Sequence, residues 1–114
     1  MIDLENLLEI HDTVVRYENA LDGIRDMNTL YSIIDTQKQG WYNGIDSILW
    51  ISYSVCGGHI FSDGNKRTSF LVLKTLEEQG YKLDTEKLAD LILDLATKTM
   101  TREEFFYKAH LYII

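Results

Sequence analysis

No proline interrupts this chain, and its seven glycines fall between apolar stretches or at their ends. With so few breakers the backbone has few forced turns, and apolar side chains are left to recur at helical spacing. Leu4, Leu7, Leu8, His11, Val14 and Val15 share one face, which predicts a first helix from about Asp3 to Tyr17 with Asp3 as its cap. Asn19 to Gly23 reads as a loop. A second helix follows from about Asp26 to Thr36, through Leu30, Ile33 and Ile34. Gln37 to Gly44 is turn-rich around an exposed Trp41-Tyr42 pair. The third helix, about Ile45 to Cys56, is apolar nearly all round and belongs in the middle of a core. A fourth, about Asn65 to Gln79, carries Phe70, Leu71, Val72, Leu73 and Leu76 and stops at Gly80. Gly80 to Leu83 is a turn, and Asp84 or Thr85 caps a fifth helix through Leu88, Leu91, Ile92 and Leu95. Thr101 with Glu104 has the form of a capping box and opens a sixth, Arg102 to about Leu111. Tyr31 to Ile34 and Leu111 to Ile114 are also compatible with short strands. The expected fold is all-α, an irregular bundle of about six helices around the third and fourth. At 114 residues and 46% hydrophobic, residues 1–114 are expected to form a single domain with one core.

Between the two central helices lies the densest concentration of chemistry in the chain. His59 to Thr68 reads HIFSDGNKRT, a loop running directly into a helix N-terminus. Unsatisfied backbone N–H groups and the positive end of the helix dipole make such a place a seat for phosphate. His59 can accept a proton. Asp63 can hold a divalent cation, and Arg67 can grip phosphate oxygens bidentately. A P-loop fails on spacing: five residues separate Gly58 from Gly64, and Asn65 intervenes before Lys66.

Charge narrows the ligand. The net charge is −7 and the pI about 4.8, so the chain is a poor general nucleic-acid binder. From His59 to Lys74, however, the cations are Lys66, Arg67 and Lys74 and the only acid is Asp63. A local positive site in an acidic protein points to a small anion such as a nucleotide. Cys56 is the only cysteine, so no disulfide forms within the chain, and its expected role is a small buried side chain. No apolar run is long enough to span a bilayer and the N-terminus lacks a signal-like h-region, so no membrane partner and a cytoplasmic location are expected. His11, with no second ligand at metal spacing, reads as a buried structural histidine, and His110 carries no signal. A Cys56–His59 nucleophile–base pair is conceivable but leaves the cations and carboxylate unexplained.

Gly58 to Thr68 matches the loop pattern HxFx(D/E)(G/A)N(G/K)R without a gap at its fixed positions, and on these residues the chain resembles the Fic/Doc family. The Ile10-His11-Asp12 segment and the turn from Gly80 to Leu83 are similar to the Doc-type branch, the toxins of toxin–antitoxin pairs. The resemblance implies a Fic-like helical fold and a transferase that uses ATP and Mg²⁺ to modify a hydroxyl on a protein substrate. In it His59 is the general base, Phe61 pins the loop into the core and Asp63 holds Mg²⁺. Gly64 lets the backbone turn beside the ligand. Asn65 and the backbone N–H groups from Ser62 to Lys66 form an anion hole, and Arg67 clamps phosphate. Ser62, Asp63, Gly64, Asn65, Lys66 and Arg67 thus bind nucleotide, while His59, Asn65 and Arg67 are catalytic.

Two departures from the commonest loop of the family, Ile60 for proline and Lys66 for glycine, are those of the Doc-type branch. There the lysine is taken to reverse the nucleotide, which favours phosphoryl over AMP transfer. Gly64, alanine in that branch, is closer to the AMP-transferring members. The resemblance further implies elongation factor Tu as a target, and arrested translation. The family's inhibitory pattern, (S/T)xxxE(G/N), has no match; Thr13 with Glu18-Asn19 is one residue too long. Inhibition is then expected from a separate antitoxin laid in a groove, for which Trp41 and Tyr42 are candidates beside simple core filling. A catalytically silent binding module is the alternative of another class; the intact His59 argues against it.

Overall fold

The computed structural model describes residues 2–114, and six helices account for most of them. They are α1 (Leu4–Glu18), α2 (Met27–Lys38), α3 (Ile45–Gly58), α4 (Asn65–Glu78), α5 (Thr85–Thr97) and α6 (Arg102–Leu111). The all-α expectation holds. No described helix is long and apolar enough to cross a membrane.

The caps are local chemistry. The Asp3 carboxylate accepts from the Asn6 N–H while the Asn6 side chain accepts from the Asp3 N–H, a reciprocal box that starts α1. Asp26, Asp84 and Thr101 each accept from an N–H three residues on and start α2, α5 and α6. α3 runs two residues beyond its expected end, through Gly57 and Gly58. Tyr31 to Ile34 is helical within α2. At the C-terminus Ile113 bridges Leu83, and the Lys82 and Ile114 backbones exchange hydrogen bonds, so the only extended pairing there is an isolated bridge.

α3 lies at the centre, against α2, α4, α5 and α6, while α4 also packs on α1 and α5. Ile48, Leu49, Ile51 and Val55 of α3 meet Val72, Leu73 and Leu76 of α4 in a core that takes side chains from every helix. Two serines face each other across the α3–α4 pair. Ser52 Oγ lies 2.8 Å from Ser69 Oγ, and each hydroxyl also reaches the other residue's carbonyl. Two buried polar groups are thereby satisfied at the helix pair that brackets the motif loop.

Gln37 belongs to α2, not to the turn-rich stretch. It is buried, binds both the N–H and the carbonyl of Ile2, and accepts from Ser47 Oγ at 2.7 Å. Of the Trp41-Tyr42 pair, Trp41 is exposed. Tyr42 is half-buried, stacks on Trp50 with ring centroids 5.1 Å apart, and accepts from Arg102 at 2.6 Å. Tyr42 therefore fills the join between α3 and α6.

Candidate functional site

The motif begins where α3 ends. His59 is one of two non-glycine residues with positive φ among those described, at φ 47° and ψ 51°. This left-handed turn sends Ile60 and Phe61 into the core, both fully buried, and leaves the imidazole of His59 exposed. The loop then closes on itself. Asn65 Nδ2 donates to the Phe61 carbonyl and Asn65 Oδ1 accepts the Phe61 N–H, both at 2.9 Å.

The segment between α1 and α2 grips the loop from another side. The Ile60 carbonyl accepts from the Arg25 N–H at 2.8 Å, and the Ser62 N–H donates to the Gly23 carbonyl at 3.0 Å. The Leu21 N–H donates to Asp63 Oδ2 at 3.0 Å, and the Gly64 N–H to Asp63 Oδ1 at 2.8 Å. α1 supplies the last hold. The ring of His11 stacks on Phe61, centroids 3.7 Å apart and planes 7° from parallel, and its Nε2 lies 2.9 Å from the Asp63 carbonyl.

These bonds revise the anion hole. The Ser62 and Gly64 N–H groups are already engaged, and the Asn65 side chain clasps the loop with its Oδ1 and one N–H of its Nδ2, which leaves a second N–H on that nitrogen. The N–H groups of Asn65, Lys66 and Arg67, the first turn of α4, have no partner among the described residues. α4 also lacks a side-chain cap. Three amides and the positive end of a 14-residue helix thus stay available to an anion.

A cleft of about 640 Å³ opens onto this turn. His59, Ser62, Asp63, Gly64, Asn65, Lys66 and Arg67 all line it, so every expected site residue reaches one space. Its other wall is apolar and was not foreseen: Phe70 of α4 and Ala89, Ile92, Leu93 and Ala96 of α5. Cys56 touches the cleft but is only 1% exposed, its Sγ 3.8 Å from the Ile92 carbonyl, and burial pushes its thiol up to about 11. The buried thiol turns to that carbonyl and makes no hydrogen bond to His59 among the described residues, which speaks against the Cys56–His59 pair.

Asp63 is held below the usual carboxylate range, first by the Leu21 N–H, then by the Gly64 N–H and the nearby His11. It is exposed and ionised, with an acceptor site left on each oxygen. No group of three His, Cys, Asp or Glu side chains suited to a metal occurs among the described residues. A lone carboxylate suits Mg²⁺ shared with phosphate oxygens and water, and does not suit an all-protein cage.

Arg67 meets an acid from elsewhere. Its Nε lies 2.9 Å from Oε1 of Glu18, the last residue of α1, with both side chains about half exposed. Gly64, at φ 78°, presses against α1: a Cβ there would lie 2.8 Å from Val14 Cγ1.

Comparison with known proteins agrees with this loop. The model of the Fic/DOC family matches residues 1–76. The chain is also similar to the protein described as "Protein kinase doc" from Escherichia phage P1, with 32% identity across 84% of this chain and 82% of that protein. The match covers α1 through most of α4 and includes the whole loop that His11, Leu21 and Asn65 hold. The chain belongs to the Fic/DOC family.

Proposed function

We propose that this chain is an ATP-dependent transferase of the Doc type that phosphorylates a hydroxyl on a target protein. The observation that carries the reading is the cleft in which an exposed imidazole shares one space with three unpartnered amides, Lys66 and Arg67.

A triphosphate seated on the first turn of α4 meets the Asn65, Lys66 and Arg67 amides and two cationic side chains. Asp63 would hold Mg²⁺ against the phosphate oxygens, and the ion would neutralise charge there. His59 takes the proton of the target hydroxyl as its oxygen attacks the γ-phosphorus. The new O–P bond forms, the bond from Pγ to the β-phosphate oxygen breaks, and ADP leaves with the electron pair. The amides and Arg67 face the charge on the transferring group. The apolar wall of Phe70, Ile92, Leu93 and Ala96 excludes water from one side.

Phosphoryl transfer is favoured over AMP transfer because Lys66 lines the cleft and Gly64 has a local explanation. The glycine is demanded by its positive φ and by Val14, so it no longer argues for the AMP-transferring members. Elongation factor Tu is the target proposed from the Doc-type resemblance, with a separate antitoxin as the natural restraint on such an activity.

The test is incubation of the purified chain with cell lysate, and with purified elongation factor Tu, in ATP labelled at the α or the γ position. Transfer from γ alone, abolished by His59→Ala, is the expected outcome. Transfer from α makes the chain an AMP transferase. No transfer from either, with His59→Ala indistinguishable from wild type, makes it a binding module.

A further inference from the structure

We infer that His11 is a positioning residue of the phosphate seat: by occupying the Asp63 carbonyl it keeps the Arg67 amide available to the ligand. The inference rests on reading the cleft as a phosphate site.

His11 is 4% exposed, on the buried face of α1 between Leu7 and Val14, and does not line the cleft. Packing alone would be served by another apolar side chain. The imidazole adds a donor: the Asp63 carbonyl can only accept, so Nε2 carries the proton across the 2.9 Å contact.

The Asp63 carbonyl stands four residues before Arg67, the register of an α-helical hydrogen bond. That bond is not made. The first bond of α4 runs from the Thr68 N–H to the Gly64 carbonyl at 2.9 Å, and Gly64 at φ 78° turns the chain off the helical path just before it. Glycine holds a left-handed turn at little cost but enters the helical region as readily. The His11 N–H makes the one bond to this carbonyl among the described residues, and it holds the carbonyl on the non-helical side of the turn, where the Leu21 and Gly23 bonds also keep the loop. Remove it, and the Asp63 carbonyl has one donor in register, the Arg67 amide. The helix would then lengthen by one bond, and one of the three open amides would leave the cleft.

Two variants separate this role from packing. His11→Phe keeps a ring to stack on Phe61 and loses the donor. His11→Gln reaches the carbonyl with an amide N–H and loses the ring. Amide hydrogen exchange is read residue by residue on the full chain, alongside calorimetric titration with tripolyphosphate. In His11→Phe the Arg67 amide exchanges more slowly than in wild type, and tripolyphosphate binds about tenfold more weakly, the scale of one lost hydrogen bond to a charged group. His11→Gln returns both toward wild type. A merely loosened fold would speed exchange, the opposite sign. An Arg67 amide that exchanges as fast or faster in His11→Phe would overturn the inference. If the wild type binds no tripolyphosphate while the Arg67 amide still slows in His11→Phe, the hold on the loop stands and the phosphate reading of the cleft falls.

Discussion

Substituting Glu18 by Gln removes the one acid that pairs with the motif arginine. The contact is 2.9 Å, but both side chains are about half exposed, at 50% and 41%. Water screens such a pair, and exposed pairs contribute roughly 0.2–1 kcal/mol. A phosphate that takes Arg67 must displace Glu18 or bind beside a like charge. Freeing Arg67 in advance returns that energy to the ligand, so Mg²⁺-ATP should bind roughly 1.5- to 5-fold more tightly to Glu18→Gln. The assay is calorimetric titration of both proteins at low and high salt. The gain should be largest at low salt and shrink toward none at high salt, where exposed charges are screened. Loss of the pair lowers stability by at most about 1 kcal/mol, a fall in Tm of about 4 °C for a domain of this size. Weaker or unchanged binding at low salt would refute the competition and make Glu18 a support for Arg67.

Gly64→Ala combines left-handed backbone strain of ~1–2 kcal/mol with a Cβ 2.8 Å from Val14 Cγ1, an overlap of the kind that costs ~1–3 kcal/mol. Urea melts should show a loss of about 2–5 kcal/mol, and adding Val14→Ala should recover the overlap part; strict additivity of the two changes would contradict the contact. Asp63 predicts a pH signature. Its carboxyl is lower in the folded chain than the ordinary 3.8, so the ionised form favours folding. That stabilisation is full above 3.8 and vanishes as pH falls through the lower folded value. Melting curves of wild type and Asp63→Asn should therefore diverge above about pH 4 and converge below it, and parallel curves throughout would count against the grip on Leu21 and Gly64.

Local signals made the helices readable. α6 was legible to the residue because its cap is local: Thr101 accepts from the Glu104 N–H three residues on. Long-range bonds were not. Gln37 looked like the start of a turn because its partners, Ile2 and Ser47, lie far away in sequence or in another helix. The motif gave the cleft-facing residues directly, since it is contiguous. What it hid was the direction of each bond. An asparagine in the motif gives no sign that its amide also closes on Phe61. Glu18 escaped because its spacing from Thr13 broke the expected pattern, although the ion pair needs only the end of α1 beside the start of α4. The α5 wall gave no signal, because its small and aliphatic residues look like any buried helix face.

The clasp from Asn65 to Phe61, with the bonds to Gly23, Leu21 and His11, has a thermodynamic corollary. Five residues that became ordered only on meeting a ligand would lose roughly 5–10 kcal/mol of backbone freedom at that moment. Here the loss is taken during folding, so the small anion proposed above would meet a shape already made. The vulnerability moves accordingly, from the mouth of the cleft to its rear. On the proposed function, whatever draws residues 20–26 away from the loop would inactivate by unfastening, without obstructing the entrance or touching His59.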